Sequence, residues 1–175
     1  MKKYLVVIDM QKDFVSGVLG TKEAQSIVPN VVEKIKNFDG TIIFTKDTHG
    51  EDYLNTQEGR KLPVVHCVAQ TEGWELVNEL EELCKEHSYR IYEKGTFGCA
   101  RLAEDLKAEQ EKEAIDSIEL IGVCTDICVI SNAMLIKAFL PEVEIKVDST
   151  CCAGVTIESH KTALESMKAC QIEIK

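Results

Sequence analysis

Long apolar runs are missing from this 175-residue sequence, and no stretch approaches the roughly 20 apolar residues that span a bilayer. The first segment, MKKYLVVIDMQKDF, also lacks the form of a secretory leader, because its apolar run 4–8 is one strand long and ends at Asp9. These absences predict a protein that does not enter a membrane. They favour the cytoplasm, where most of the eight cysteines stay as free thiols.

Positive charge is also scarce, since 20 basic residues stand against 30 acidic ones and the formal net charge is −10. Nucleic acid and anionic membrane surfaces repel such a chain, so neither is expected as a partner. A CxxC redox pair is lacking, because three residues separate Cys124 from Cys128. The adjacent Cys151 and Cys152 are interpreted as loop or core thiols. With 45% apolar and 29% charged residues, the composition predicts one soluble globular domain, 1–175.

Short β-rich runs alternate with helical patterns, which is typical of a parallel sheet covered by helices on both faces. The predicted strands are 4–8, 41–45, 90–92, 118–122, 143–147 and, as a sixth, 171–174. Four of the predicted helices are 24–37, 74–86, 101–110 and 159–169. A fifth is capped by Thr125 or Asp126 and ends at Phe139. The helix that ends at Phe139 is predicted to bury Ile130, Met134 and Ala138.

Three reactive side chains follow three of these strands. Asp9 comes directly after the first strand, Lys94 just after the third, and Cys128 one turn into the helix after the fourth. Because ligands bind at the carboxyl ends of parallel strands, we expect the three side chains to meet at one edge of the sheet.

The three residue types suit cysteine hydrolysis. The helix start and Lys94 favour a thiolate at Cys128, while Asp9 can accept the thiol proton and return it to a leaving amine. Backbone N–H groups of the turn 122–128 can stabilise an oxyanion. Each residue alone also fits an ordinary role: a loop cap or Mg²⁺ ligand, a solvated lysine, or a buried cysteine. Their joint position favours a catalytic site.

The segment 46–73 has little periodicity and is long for a connection, which favours a functional loop. Asp47 and His49 are two residues apart, so an extended chain directs both to one side. Glu58 and His66 can complete a set of two carboxylates and two imidazoles, which suits Zn²⁺, Mn²⁺ or Fe²⁺.

Alternatives to this metal site stay open. Glu51, Asp52 or Cys67 can replace Glu58 as a ligand, and the whole segment can instead be a polar loop without metal. His87 and His160 lie far from these motifs and are expected to be solvated.

The chain resembles the isochorismatase-like cysteine hydrolases, and among them the nicotinamidases. LVVIDMQKDF (5–14) resembles their first strand and catalytic acid, EKGTFG (93–98) their lysine segment, and GVCTDICV (122–129) their nucleophile segment. The resemblance implies an α/β isochorismatase-like hydrolase fold of three layers, with a central six-stranded parallel sheet flanked by helices. It also implies catalysis by Asp9, Lys94 and Cys128 through a covalent acyl-enzyme.

Further site residues are implied by the same resemblance. A cis peptide precedes Cys124, and the N–H groups of Cys124 and Cys128 form the oxyanion hole. Phe14 and Phe97 sandwich a flat ring. A divalent metal, with zinc expected ahead of manganese or iron, is held by Asp47, His49, Glu58 and His66. The implied reaction is the conversion of nicotinamide to nicotinate and ammonia in NAD salvage, by a homo-oligomer.

The chain departs from that pattern in two places. Many nicotinamidases carry a tryptophan shortly before the last metal histidine, where this chain has Leu-Pro-Val-Val at 62–65, and its only tryptophan is Trp74. The residue before the nucleophile is Ile127 rather than histidine. One alternative is therefore a metal-free relative that hydrolyses another small amide, carbamoyl or ureido compound. Another is a metal-binding or thiol-sensing protein without activity.

Overall fold

The computed structural model of the protein describes residues 2–175, so the first residue of the predicted domain lies outside the described residues. Its strands are β1 (Lys2–Ile8), β2 (Thr41–Asp47), β3 (Arg90–Lys94), β4 (Ile115–Val123), β5 (Glu144–Ala153) and β6 (Glu173–Ile174). All neighbouring strands are parallel, in the order β3-β2-β1-β4-β5-β6. The predicted six-stranded parallel sheet is confirmed, and the adjacent Cys151 and Cys152 are buried in β5.

Helices cover both faces of the sheet. They are α1 (Lys12–Val15), α2 (Lys22–Asn37), α3 (Gln57–Lys61), α4 (Asn78–His87), α5 (Ala100–Lys112), α6 (Ile130–Phe139) and α7 (Ile157–Ala169). The predicted helix 74–86 instead begins at Asn78, because the residues before it pair with the segment after β1. Gln11 and Leu76 form an antiparallel bridge, and the Val77 N–H donates to the Met10 carbonyl at 3.0 Å.

Two apolar clusters, one on each face, hold the three layers together. Alternate residues of β1 point to opposite faces, so Val6 packs with the side chains of α5, α6 and α7 while Val7 packs with those of α2 and α4. Burial on both faces explains the continuous apolar run 4–8 in β1. Among residues 2–175, no helix has the length and apolarity needed to cross a membrane.

The start of α6 differs from the sequence prediction. A π turn (Thr125–Val129) precedes α6, with the Val129 N–H donating to the Cys124 carbonyl at 3.0 Å. Neither Thr125 nor Asp126 caps the helix.

The predicted buried face of α6 was also wrong, because α6 is apolar on most sides and the periodicity of its apolar residues does not identify the buried face. Met134 and Ala138 are exposed and Ile130 is half-buried. The buried residues of α6 are Asn132, Ala133 and Ile136.

The strand order brings the predicted catalytic residues together. The chain runs outward from β1 to β2 and β3, then returns to place β4 on the other side of β1. This reversal opens a crevice at the carboxyl ends of β1 and β4. Asp9 follows β1, Lys94 ends β3, and Cys128 lies in the turn after β4.

Gly122, near the end of β4, has a positive φ of 117°. A Cβ at this position would lie 2.1 Å from the carbonyl oxygen of Ile8. We expect Gly122→Ala to lower the free energy of unfolding by about 2 kcal/mol or more, measured by urea denaturation. Gly95→Ala is the matched control, because the only non-neighbouring atom near its Cβ is 3.9 Å away. Equal stability of the two variants would contradict this reading of Gly122.

Candidate active site

Asp9 lies at the base of the crevice and is fully buried. Its backbone turns sharply out of β1, with φ at 47°. Thr45, at the same level of β2, donates its hydroxyl to Oδ1 of Asp9 at 2.6 Å, while the Asp9 N–H donates to the Thr45 carbonyl at 3.2 Å. These bonds direct the second carboxylate oxygen towards the third strand, where Lys94 lies.

Lys94 connects the members of the predicted trio. Its Nζ lies 2.6 Å from Oδ2 of Asp9 and 3.6 Å from Sγ of Cys128. The same ammonium donates to the Thr96 carbonyl at 3.0 Å and to Oδ1 of Asp47 at 3.3 Å. Lys94 and Cys128 are both buried. The structure thus brings together the three residues predicted from the sequence, with the lysine at their centre.

Burial is the largest influence on the pKa values of Asp9, Lys94 and Cys128. It raises the pKa of Cys128 well above that of a free thiol, and Lys94 offsets this only in part. The pKa of Asp9 is likewise raised by burial, against the opposing effect of Lys94. Burial alone would lower the pKa of Lys94, but Asp9, Cys128 and Asp47 together raise it. Burial therefore opposes the thiolate that the sequence predicts at Cys128, while Lys94 favours it.

The turn that carries Cys128 begins at a cis peptide between Val123 and Cys124, as predicted. Among residues 2–175, no acceptor lies within hydrogen-bonding reach of the Cys124 N–H. This donor is therefore available to an oxyanion formed beside Sγ of Cys128. The pKa of the Cys124 thiol is also raised by burial, to about 12, but among residues 2–175 Lys94 contacts the sulfur of Cys128 and not that of Cys124.

The four predicted metal ligands converge at the ends of β2 and the following segment. One ligand atom from each of Asp47, His49, Glu58 and His66 lies within 4.8 Å of the others. Oδ2 of Asp47 is 2.9 Å from Nε2 of His49 and 3.7 Å from Nε2 of His66. Oε1 of Glu58 is 3.7 Å and 3.8 Å from the same two nitrogens. The alternatives Glu51 and Asp52 are exposed and do not belong to this cluster.

These residues fit a divalent ion. A tetrahedral ion with bonds of about 2.1 Å holds its ligand atoms roughly 3.4 Å apart, close to the spacings observed. The Nδ1–H of His66 donates to the Val64 carbonyl at 2.7 Å, which directs Nε2 of His66 into the cluster. Burial raises the pKa of Asp47, but His49, His66 and Lys94 outweigh it and the pKa is lowered overall, so Asp47 remains a carboxylate.

Buried polar residues that the sequence analysis missed support this cluster. Gln11 clamps Asp47 by donating to its carbonyl at 2.8 Å and accepting from its N–H at 2.7 Å. The ring of Tyr53 lies 4.7 Å from that of His49 and 5.0 Å from that of His66, between centroids. Tyr53 is fully buried, and its hydroxyl donates to the Leu62 carbonyl at 2.9 Å. Neither residue belongs to a recognisable ligand pattern.

A third missed residue, Asn132, ties Cys128 to the lysine segment. Its Nδ2 donates to the carbonyls of Cys128 at 2.8 Å and Phe97 at 3.0 Å, and its Oδ1 accepts from the Cys99 N–H at 2.9 Å. Asn132 is fully buried. An asparagine one turn after Cys128, inside a helical pattern, offered no signal in the sequence.

A cavity of about 300 Å³ opens above these groups. Cys124 and Cys128 line one part of it, and Asp47, Glu58 and His66 line another, between largely apolar walls. Phe14 and Phe97 both line the cavity, Phe14 buried and Phe97 42% exposed. Leu62 lines it as well, whereas Trp74 packs under Lys46, whose Nζ lies 3.0 Å from the indole centroid. The segment 62–65 therefore contributes an aliphatic side chain, Leu62, to the cavity wall.

Comparisons with known proteins agree with this geometry. The family described as "Isochorismatase domain" matches residues 3–174. An isochorismatase family protein of Bacillus subtilis is 32% identical over 174 residues, which cover 94% of this chain and 93% of the relative.

Solved structures are similar over the whole length. The nicotinamidase/pyrazinamidase of B. subtilis has a TM-score of 0.82 and 28% identity, covering 99% of both chains. The pyrazinamidase of Pyrococcus horikoshii, solved in complex with zinc, has a TM-score of 0.81 and 27% identity, covering 100% of this chain and 99% of that one. The resemblance inferred from the motifs is confirmed, and the chain belongs to the isochorismatase domain family.

Proposed function

We propose that the protein is a metal-assisted cysteine amidohydrolase that converts nicotinamide and water to nicotinate and ammonia. The relatives named nicotinamidase or pyrazinamidase support this reaction class, and the relative solved with zinc supports a metal. One observation carries the proposal: a single cavity of about 300 Å³ is lined by the Cys128 thiol and by members of the cluster of two imidazoles and two carboxylates.

Binding is proposed to orient the amide towards the thiol. Asp47, His49, Glu58 and His66 would hold a divalent ion, which would supply a Lewis acid for the pyridine nitrogen. Phe14 and Phe97 contact the two faces of the ring, and the apolar walls exclude water from it. The carboxamide carbon then lies beside Sγ of Cys128.

Asp9 is proposed to move the protons. It takes the Cys128 proton as the sulfur attacks the carbonyl carbon, and the N–H groups of Cys124 and Cys128 hold the resulting oxyanion. Asp9 then gives its proton to the amide nitrogen, the C–N bond breaks, and ammonia leaves a thioester. The ionised Asp9 next activates a water that cleaves the thioester to nicotinate, and it returns the proton to Cys128. Lys94 keeps its charge throughout and stabilises both anions.

The wider setting of the enzyme is part of the proposal. We infer a cytoplasmic homo-oligomer with one isochorismatase-like domain over 1–175, acting in NAD salvage. Eight cysteines without disulfides suit a reducing compartment. Light scattering tests the assembly, and a mass equal to one 19.5 kDa chain would contradict it.

Ammonia release from nicotinamide tests the reaction and the metal together. We expect turnover by the metal-loaded protein, at least tenfold less after chelation, and recovery when zinc, manganese or iron is restored. His49→Ala should bind metal at least about tenfold more weakly in a chelator competition, because one of its four ligands is lost. His87→Ala is the matched control, since His87 is exposed at the end of α4.

Two results would count against the proposal. No ammonia from a folded, metal-loaded protein would exclude nicotinamide and direct the search to carbamoyl and ureido amides. Turnover unaffected by chelation, with no metal remaining by elemental analysis, would exclude the metal-assisted mechanism.

A further inference from the structure

The turn between Cys124 and Cys128 is fixed by side chains that lie outside the trio. Thr125 is fully buried, and its Oγ1 lies 2.8 Å from Nδ1 of His160, in the first turns of α7. His160 was expected to be solvated, but it is half-buried against this turn. The hydrogen bond joins residues 35 positions apart in the chain.

A second contact fixes the same turn from the same side. Oδ1 of Asp126 accepts from the Val155 N–H at 3.1 Å, in the loop between β5 and α7. That loop lies close to α7, because a Cβ on Gly154 would be 2.9 Å from the backbone nitrogen of His160. Gly154 and Val155 also line the cavity. The turn, the cavity wall and α7 therefore form one packed unit.

The contact between Thr125 and His160 suits a neutral imidazole. Burial lowers the pKa of His160, Lys161 acts the same way, and Asp126 opposes them only in part. In the tautomer that carries its proton on Nε2, Nδ1 of His160 accepts from the Thr125 hydroxyl. Loss of this acceptor would leave a buried hydroxyl without a partner.

We propose that His160 is a positioning residue, which holds the turn so that Sγ of Cys128 stays within reach of Lys94 and Asp9. This inference rests on Cys128 being the nucleophile of the proposed function. The hydrogen bond between His160 and Thr125 keeps Lys94 Nζ and Cys128 Sγ at their separation of 3.6 Å. Small displacements of a reacting atom cost up to about 100-fold in rate.

Four variants test the role. His160→Leu keeps the bulk but removes the acceptor, and we expect kcat to fall about 10- to 100-fold with little change in KM. His160→Asn places an acceptor oxygen near the position of Nδ1 and should restore most of the rate. Thr125→Val should lose a similar amount, and the double variant, Thr125→Val with His160→Leu, should lose no more than either single one. Circular dichroism and thermal unfolding confirm that each variant is folded.

The alkylation rate of Cys128 by iodoacetamide, followed by peptide mass spectrometry, gives a readout that does not need a substrate. His160→Leu should slow it, because a thiol further from Lys94 ionises less. His87→Ala controls for the loss of an imidazole elsewhere. Unchanged alkylation in folded His160→Leu, or equal losses in His160→Leu and His160→Asn, would overturn the proposal. If the parent protein does not hydrolyse nicotinamide, the proposed function fails, yet the alkylation comparison still decides the role of His160.

Discussion

Cys128→Ala is expected to lower amide hydrolysis by at least about 10⁴-fold, because the proposed thioester forms on its sulfur. The thiol of Cys124 also lines the cavity, but among residues 2–175 it has no contact with Lys94 like the one that Cys128 makes at 3.6 Å. The substitution removes one buried sulfur atom, so the free energy of unfolding should change by only about 1 kcal/mol. Ammonia release and thermal unfolding, measured on the same preparation, check both statements.

Another cysteine provides the matched control for this variant. Cys170 is exposed just after α7, and Cys170→Ala should keep the parental rate. Mass spectrometry of the protein mixed rapidly with substrate should detect an acyl adduct on the peptide that contains Cys128. Retained hydrolysis in Cys128→Ala, or an adduct on a different cysteine, would show that the nucleophile has been assigned to the wrong residue.

Asp9→Asn is expected to reduce kcat by about 10²- to 10⁴-fold, since an amide cannot accept the thiol proton. The same carboxylate should set the acid limb of the pH profile. Burial raises the pKa of Asp9, so activity is lost as the pH falls through a value above the roughly 3.9 of a free aspartate. Above that pKa the group is ionised and the limb levels off.

The pH profile of kcat/KM between acid and neutral pH measures this limb directly. Asp39→Asn, which changes an exposed aspartate after α2, should keep both the rate and the limb. An unchanged limb in the residual activity of Asp9→Asn would mean that a different group titrates. An acid limb with its midpoint at or below the pKa of a free aspartate would contradict the prediction that burial raises the pKa of Asp9.

The fold was predictable because its central strands are buried on both faces. The runs 4–8 and 42–44 are apolar throughout, and parallel strands with helices between them leave few topologies. The errors arose where tertiary pairing overrides local preference. Trp74 has a helical pattern after it, but the bridge between Gln11 and Leu76 keeps the residues just before Asn78 out of the helix.

The site was predictable to the extent that its residues follow strand ends. Asp9, Lys94 and Cys128 could be placed at one edge by topology alone. Asn132, Gln11 and His160 could not, because each acts through hydrogen bonds to a backbone or hydroxyl group distant in the chain. A single polar residue within a helix has the same appearance in sequence whether it is solvated or buried in a network.

Asp47 belongs to both halves of the site, since one oxygen faces the two histidines and the other accepts from Lys94. Attempts to retune metal selectivity by engineering are therefore constrained at this position. Exchanging Asp47 for another ligand would also remove one of the two carboxylates that neutralise Lys94. Glu58 makes its ionic contacts with the histidines alone. It is the position where a library of alternative ligands can be screened without removing a partner of Lys94.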